Sequence, residues 1–226
     1  MTLTADEMMT SCYAHVLPGV PVLLAFSRGK DSVGAWALLD KCGIDFTPYY
    51  LMQAYGGLPS EHRHLDRIER LTGKKIHRYT HPGFWDLVRK RVFSAPGHDL
   101  PAKLLSYEIG DVEIEIARFE NGWDDWQVAN GCRKSDSHNR MMVISRFEKT
   151  GWLNPRKVVY PVADLRYDEL ELLIEESGIP LPHEYRSIVR STDDLVNAWL
   201  TGDADDRAAL EKWFPAIPTC QFRHAI

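Results

Sequence analysis

The stretch VLLAFSRGKDSVGAWALL, residues 22–39, constrains the fold more than any other. An apolar run suited to a buried strand passes through Ser27-Arg28-Gly29-Lys30-Asp31-Ser32 straight into a pattern with helical spacing. A strand delivered directly into a helix is half of a βαβ unit. The same rhythm returns along the chain. DFTPYYLM reads as a second strand, with SEHRHLDRIERLTG as a helix capped by Ser60 and closed by Gly73. KKIHRYTH, WQVANG and RKVVYPVAD read as further strands, with GFWDLVRKRVF, SHNRMMVISRFEKTG and YDELELLIEESG as helices. DVEIEIARF is ambiguous, strand by its alternation and helix by its place in the rhythm. The expected architecture is α/β: a doubly wound, mostly parallel five-stranded sheet with helices on both faces and a small helical C-terminal extension. Residues 1–179 would form the sheet domain and 180–226 an extension packed on it.

The chain has 226 residues and a 44% hydrophobic content, enough to bury a core. No apolar run reaches a membrane span, and the N-terminus lacks a basic start followed by an apolar block, so a cytoplasmic protein without membrane contact is expected. Cys12, Cys42, Cys132 and Cys220 stand far apart, which argues against zinc, an iron–sulfur cluster and a disulfide framework. A net charge of −5 argues against a dedicated nucleic-acid binder. Charge is nonetheless uneven: residues 61–91 carry nine Lys/Arg against four Asp/Glu, and 108–125 carry seven acids against Arg118. The basic stretch reads either as a solvated face or as the lining of a phosphate or sulfate site.

The turn at Ser27–Ser32 has the composition of an anion cradle. A helix N-terminus beyond the carboxyl end of a strand offers unpaired amides and a positive dipole end. Gly29 permits positive φ and close backbone approach, Ser27 and Ser32 add short donors, and Lys30 adds a point charge. Asp31 repels phosphate unless it holds a divalent cation or caps the helix. The turn is neither a Walker A loop nor a dinucleotide G-x-G-x-x-G.

S-x-G-K-D-S after the first strand resembles the PP-loop of the ATP pyrophosphatase (adenine nucleotide α-hydrolase) superfamily. Within it, the chain is similar to the phosphoadenosine phosphosulfate (PAPS) reductase-like branch, and to its short members common in phages of actinobacteria. GCRKSDS resembles that branch's second motif through Gly131, Arg133, Asp136 and Ser137, with Arg140 following. YPVADLRYDELELLIEESGIPLPHEY resembles a third through Pro161, Asp164, Asp168 and Tyr185, and WFPAIPTCQFRH resembles the branch's tail.

The resemblance implies an enzyme that binds ATP or a PAPS-type adenine nucleotide and cleaves or activates it at the α-phosphate, releasing pyrophosphate. Lys30, Asp31 and Arg133 would be catalytic, with Mg²⁺ on Asp31. Ser27, Arg28, Gly29, Lys30, Ser32, Gly131, Arg133, Ser137 and Arg140 would bind the nucleotide and its phosphates. The acceptor stays open. Sulfur transfer or nucleic-acid modification, with a protein partner or a second copy of the chain, is the implied setting. Two alternatives stand beside it. One is a thiol-dependent PAPS or adenylyl-sulfate reductase with Cys220 as nucleophile, its pKa lowered by Arg223 and His224, although the Glu and Gly flanking the family's cysteine are missing. The other is a non-catalytic nucleotide-binding subunit of a modification or defence complex.

Position 28 is arginine where the family's loop has glycine. Either the backbone needs no positive φ there or the loop differs slightly, and Arg28 could itself reach a phosphate. Asp136 and Ser137 also fit helix capping, and Cys132 fits packing. His62 and His64 lack the i, i+4 spacing of a helical metal pair and read as surface or anion-contacting residues. Trp85, Trp123, Trp126 and Trp152 read as packing residues.

Overall fold

The computed structural model describes residues 3–94, 107–150, 157–182 and 192–222. Trp152, Tyr185, Arg223 and His224 lie outside them. The strands are β1 (Val22–Ala25), β2 (Phe46–Met52), β3 (His77–Thr80), β4 (Gln127–Ala129) and β5 (Val158–Val159). They form one sheet in the order β3-β2-β1-β4-β5. β1 pairs in parallel with β2 on one side and β4 on the other, and β4 with β5, so the doubly wound parallel sheet is present. The connections are helical: α1 (Ala5–His15), α2 (Lys30–Lys41), α3 (Pro59–Thr72), α4 (Pro82–Arg89), α5 (Ile109–Ile114), α6 (His138–Thr150) and α7 (Tyr167–Ser177). α8 (Thr192–Thr201) and α9 (Ala204–Glu211) follow, with 3₁₀ turns at Lys134–Asp136 and Ile217–Phe222.

Local differences from the sequence reading have physical causes. α1 is unforeseen, yet its signal is in the chain: Thr4 and Glu7 form a reciprocal capping box. DVEIEIARF is helical, continuing from α5 into a π-helical turn at Glu115–Glu120. Val112, Glu113, Ile116 and Ala117 are buried, a helical spacing, while Ile114 is exposed. Ser60 lies inside the first turn of α3 rather than capping it, because Pro59 takes the first helical position its fixed φ suits. Its amide and hydroxyl instead reach the fully buried Asp206, at 3.0 and 2.6 Å.

The chain divides into two compact units: residues 1–50, 68–77 and 113–185, and residues 51–67, 78–112 and 186–226. In the first, Leu23, Leu24, Val33, Leu38 and Leu39 are fully buried, as is Trp36, whose indole packs edge-on to Phe26 and Phe46 at 5.2 Å each. Removing a buried indole of this kind costs about 3–5 kcal/mol. Gln127, fully buried, spends its amide on the loop entering β1. Its nitrogen donates to Leu17 O and Val20 O, and its oxygen accepts from Leu17 N, all at 2.8 Å. The second unit has its own core, where Leu58, Phe84, Leu195, Leu210, Phe214 and Ile217 are fully buried together.

Candidate functional site

The two motif loops and the charged residues around them belong to the first unit. In the sheet order, β1 and β4 are neighbours whose connections leave in opposite directions, a topological switch point. Ligands of open α/β sheets bind beyond the strand carboxyl ends at such a point. The two sequence motifs follow those two strands: Ser27–Ser32 after β1, and Gly131–Ser137 after β4.

The first loop is folded by its own hydroxyls. Ser32, buried at 3% exposure, donates to Gly29 O at 2.9 Å and accepts from Ser27 N and Ser27 Oγ, both at 3.1 Å. Gly29 is the N-cap of α2 in extended conformation (φ −75°), so positive φ is not what it supplies. That angle falls on Arg28, at φ +64°, where the resembling family has glycine. The loop keeps the glycine-like backbone despite the substitution, a strain of about 1 kcal/mol. Arg28 is buried with its guanidinium 5.0 Å from the centre of the Tyr50 ring. No side chain caps α2, which leaves its leading amides to whatever lies in front of them.

The second loop closes against the first. A Cβ on Gly131 would lie 2.5 Å from Asp31 C and O and 2.8 Å from Ser32 N, so only glycine lets the backbones approach this closely. Arg133, 4% exposed, brings Nε to 3.2 Å from Asp31 Oδ1 and donates from Nη2 to Asp136 Oδ1 at 2.8 Å. Arg140 donates to the other oxygen of Asp136 at 2.7 Å. Ser137 caps α6, its Oγ accepting from Arg140 N at 3.2 Å. Lys30 rests over the Tyr167 ring, 4.2 Å from its centre. The N-termini of α2, α6 and α7 therefore meet around Asp31, with three cations and two carboxylates between them.

Burial, followed by repulsion from Asp136, pushes the Asp31 carboxyl up against the opposing pull of Arg133, Lys30 and Arg140. Its Oδ1 and Arg133 Nε approach without hydrogen-bond alignment. Asp31 is the carboxylate here that could take Mg²⁺, an ion that uses one or two carboxylates and completes its shell from substrate phosphates and water; with three cations and a helix N-terminus beside it, it would do so only together with an anionic ligand.

Lys134 turns the opposite way from Arg133. Its ammonium bonds Asp164 at 2.6 Å and Glu148 at 2.5 Å, beside His15 on α1, whose Nε2 lies 2.9 Å from Asp164 Oδ2. Hydrogen bonds from His15, Lys134 and Ser11 hold Asp164 far below the usual carboxylate range. Sequence reasoning missed His15 and Glu148. With Asp164 they offer three ligand atoms near enough for a metal, but the lysine already supplies the positive charge.

The remaining candidates lie elsewhere. Cys132 is partly buried, and burial pushes its thiol up, away from ready nucleophilicity. Cys220 is buried at 3% exposure in the Ile217–Phe222 turn of the second unit. In that unit His62 sits between Gly56 O (2.7 Å) and Arg78 (3.0 Å). Several cations of the basic stretch have acidic partners: Arg63 with Asp203, Lys74 with Asp45, Arg78 with Asp66, and Arg89 with Asp86. Trp85 packs against Phe84 and Trp213, and Trp126 lies under Arg118. Trp123 lines a cavity of about 590 Å³ at the amino ends of β1 and β2.

Fold and site together define a doubly wound α/β protein with the Ser27–Ser32 and Gly131–Ser137 loops meeting at its switch point. No protein-family model and no curated protein matches the chain. Among solved structures it is similar to an NMN synthetase from Francisella tularensis, at 11% identity and a TM-score of 0.46, covering 99% of this chain and 97% of that one. It is also similar to an NH3-dependent NAD synthetase from Campylobacter jejuni subsp. jejuni NCTC 11168 in complex with the nitrate ion, at 11% identity and a TM-score of 0.44, covering 100% and 98%.

Proposed function

We propose that the chain is an enzyme of the PP-loop ATP pyrophosphatase superfamily, PAPS reductase-like, that binds ATP or a related adenylyl nucleotide and promotes attack at its α-phosphate. One observation carries the reading: two motifs about a hundred residues apart, each resembling that superfamily's, converge at the switch point with Gly131 against Asp31 and Ser32 and with Arg133 on Asp31. The leading amides of α2 hold the departing pyrophosphate. Lys30 neutralises the charge that grows on it as the bond to the α-phosphate lengthens. Arg140, half exposed, is free to swing from Asp136 to the remaining phosphate, while the buried Arg133 keeps Asp31 and Asp136 in place. Asp31 would hold Mg²⁺, which supplies further charge neutralisation at phosphoryl oxygens when bound.

The reductase alternative gains nothing from the structure, since Cys220 is buried. Titration calorimetry with Mg-ATP on the wild-type chain and Lys30→Ala tests binding. A loss of tenfold or more in affinity, about 1.4 kcal/mol, is expected. Unchanged affinity would remove Lys30 and the loop from the reading. Release of AMP and pyrophosphate by the wild-type chain then separates the enzyme from the binding-subunit alternative.

A further inference from the structure

The third helix at the site begins with an aromatic ring whose role no motif explains. Tyr167 is 52% exposed, so core packing does not account for it. Its place is nevertheless closely determined. α7 is fixed against α2 at Gly34, where a Cβ would lie 2.1 Å from Leu170 Cδ1. One turn earlier on each helix stand Lys30 and Tyr167, and the packing of Gly34 with Leu170 brings them together. The first turn of α7 is itself anchored. Arg166 N donates to Glu169 Oε2 at 2.8 Å, and the fully buried Glu169 accepts from Leu3 N at 2.6 Å. The Glu171 carboxylate, one turn on, raises the Tyr167 phenol above its ordinary pKa.

On the flat face of that ring lies the Lys30 ammonium, 4.2 Å from the centre. A lysine at the first position of a helix otherwise samples many rotamers in water, and a catalytic ammonium that wanders delivers its charge only part of the time. An ammonium resting on a ring keeps donors directed away from it.

We propose that Tyr167 is a positioning residue: its ring face holds the Lys30 ammonium at the mouth of α2, ready for the anionic end of the ligand. This rests on the nucleotide-binding reading above. The working contact is the ring, not the hydroxyl, so phenylalanine would serve and an aliphatic side chain would not.

The test is a double-mutant cycle read by calorimetry, with inorganic pyrophosphate and Mg-ATP as probes. Tyr167→Leu is expected to weaken both about fivefold, the scale of an exposed cation–π contact. Tyr167→Phe should stay within about twofold of wild type, and Tyr167→Leu should cost nothing further in a Lys30→Ala background. In the ligand-free wild type, the Lys30 ε-methylene protons should show an upfield ring-current shift that survives Tyr167→Phe and vanishes in Tyr167→Leu. Three results would overturn the role: wild-type affinity in Tyr167→Leu, a loss in Tyr167→Phe equal to that in Tyr167→Leu, or an undiminished loss in the Lys30→Ala background. A wild-type chain that binds neither probe defeats the nucleotide reading itself, and this inference with it. A wild-type chain that binds while Tyr167→Leu binds equally well defeats only the inference.

Discussion

Arg133 and Lys134 are adjacent, yet they serve two charge clusters with opposite outcomes. Arg133 faces Asp31 and Asp136, and there burial and carboxylate repulsion push Asp31 up. Lys134 faces Glu148, Asp164 and His15, and there hydrogen bonds hold Asp164 down. The number of charges differs little; the difference is who donates to whom. Asp164 receives from three side chains, whereas Asp31 has an ion pair without hydrogen-bond alignment and a like charge nearby. A well-satisfied carboxylate ties α1 to the rest of its unit. An under-satisfied one at a helix mouth marks a candidate functional group.

The sharpest way to break the contrast is Arg133→Ala. It removes the buried guanidinium between two carboxylates and leaves them only Arg140 and Lys30, so stability should fall by about 3 kcal/mol, and nucleotide affinity should fall with it. Urea unfolding at pH 7 checks this, and a loss below about 1 kcal/mol would mean that the pair is solvated rather than structural. Next comes Asp164→Asn, expected to cost about 1 kcal/mol after solvent screening, with Mg-ATP affinity within about twofold of wild type. Because folding lowers the Asp164 pKa, its stabilisation is complete above its ordinary value of 3.8 and fades as pH falls below it. The variant's deficit should therefore shrink in acid melts, and a constant deficit would deny the linkage.

The smallest effect belongs to Asp31→Asn. Folding raises the pKa of Asp31, so its ionised form is a cost that is absent below 3.8 and grows as pH rises through the folded value. The variant should melt at the wild-type temperature or a degree or two higher at pH 7, while Mg-dependent turnover falls. A clear destabilisation would show that the Arg133 contact outweighs desolvation.

Much of this was legible in the chain because it is local. Strand and helix periods, the glycine-closed helices and the charge-rich turn at Ser27–Ser32 all lie within short windows. The order of strands is not local, and neither is the meeting of Lys30 with Tyr167, which depends on Gly34 admitting Leu170. DVEIEIARF misleads because its alternation coincides with a helical spacing once Ile114 turns to solvent. The basic run at 61–91 reads either as a solvated face or as an anion site, and several of its charges find acidic partners, Asp203 and Asp45 from elsewhere in the chain and Asp66 from the run itself. Gly29 permits a positive φ, but Arg28 is the residue that bears it, a choice between neighbours that composition alone does not make.

Arginine in that unfavourable torsion has a thermodynamic corollary. With its guanidinium already laid against Tyr50, the segment is ordered by folding itself, before any guest arrives. If the loop binds the ligand proposed above, little conformational freedom remains to be lost on capture, and the receptor is rigid rather than a chain that must first be tamed.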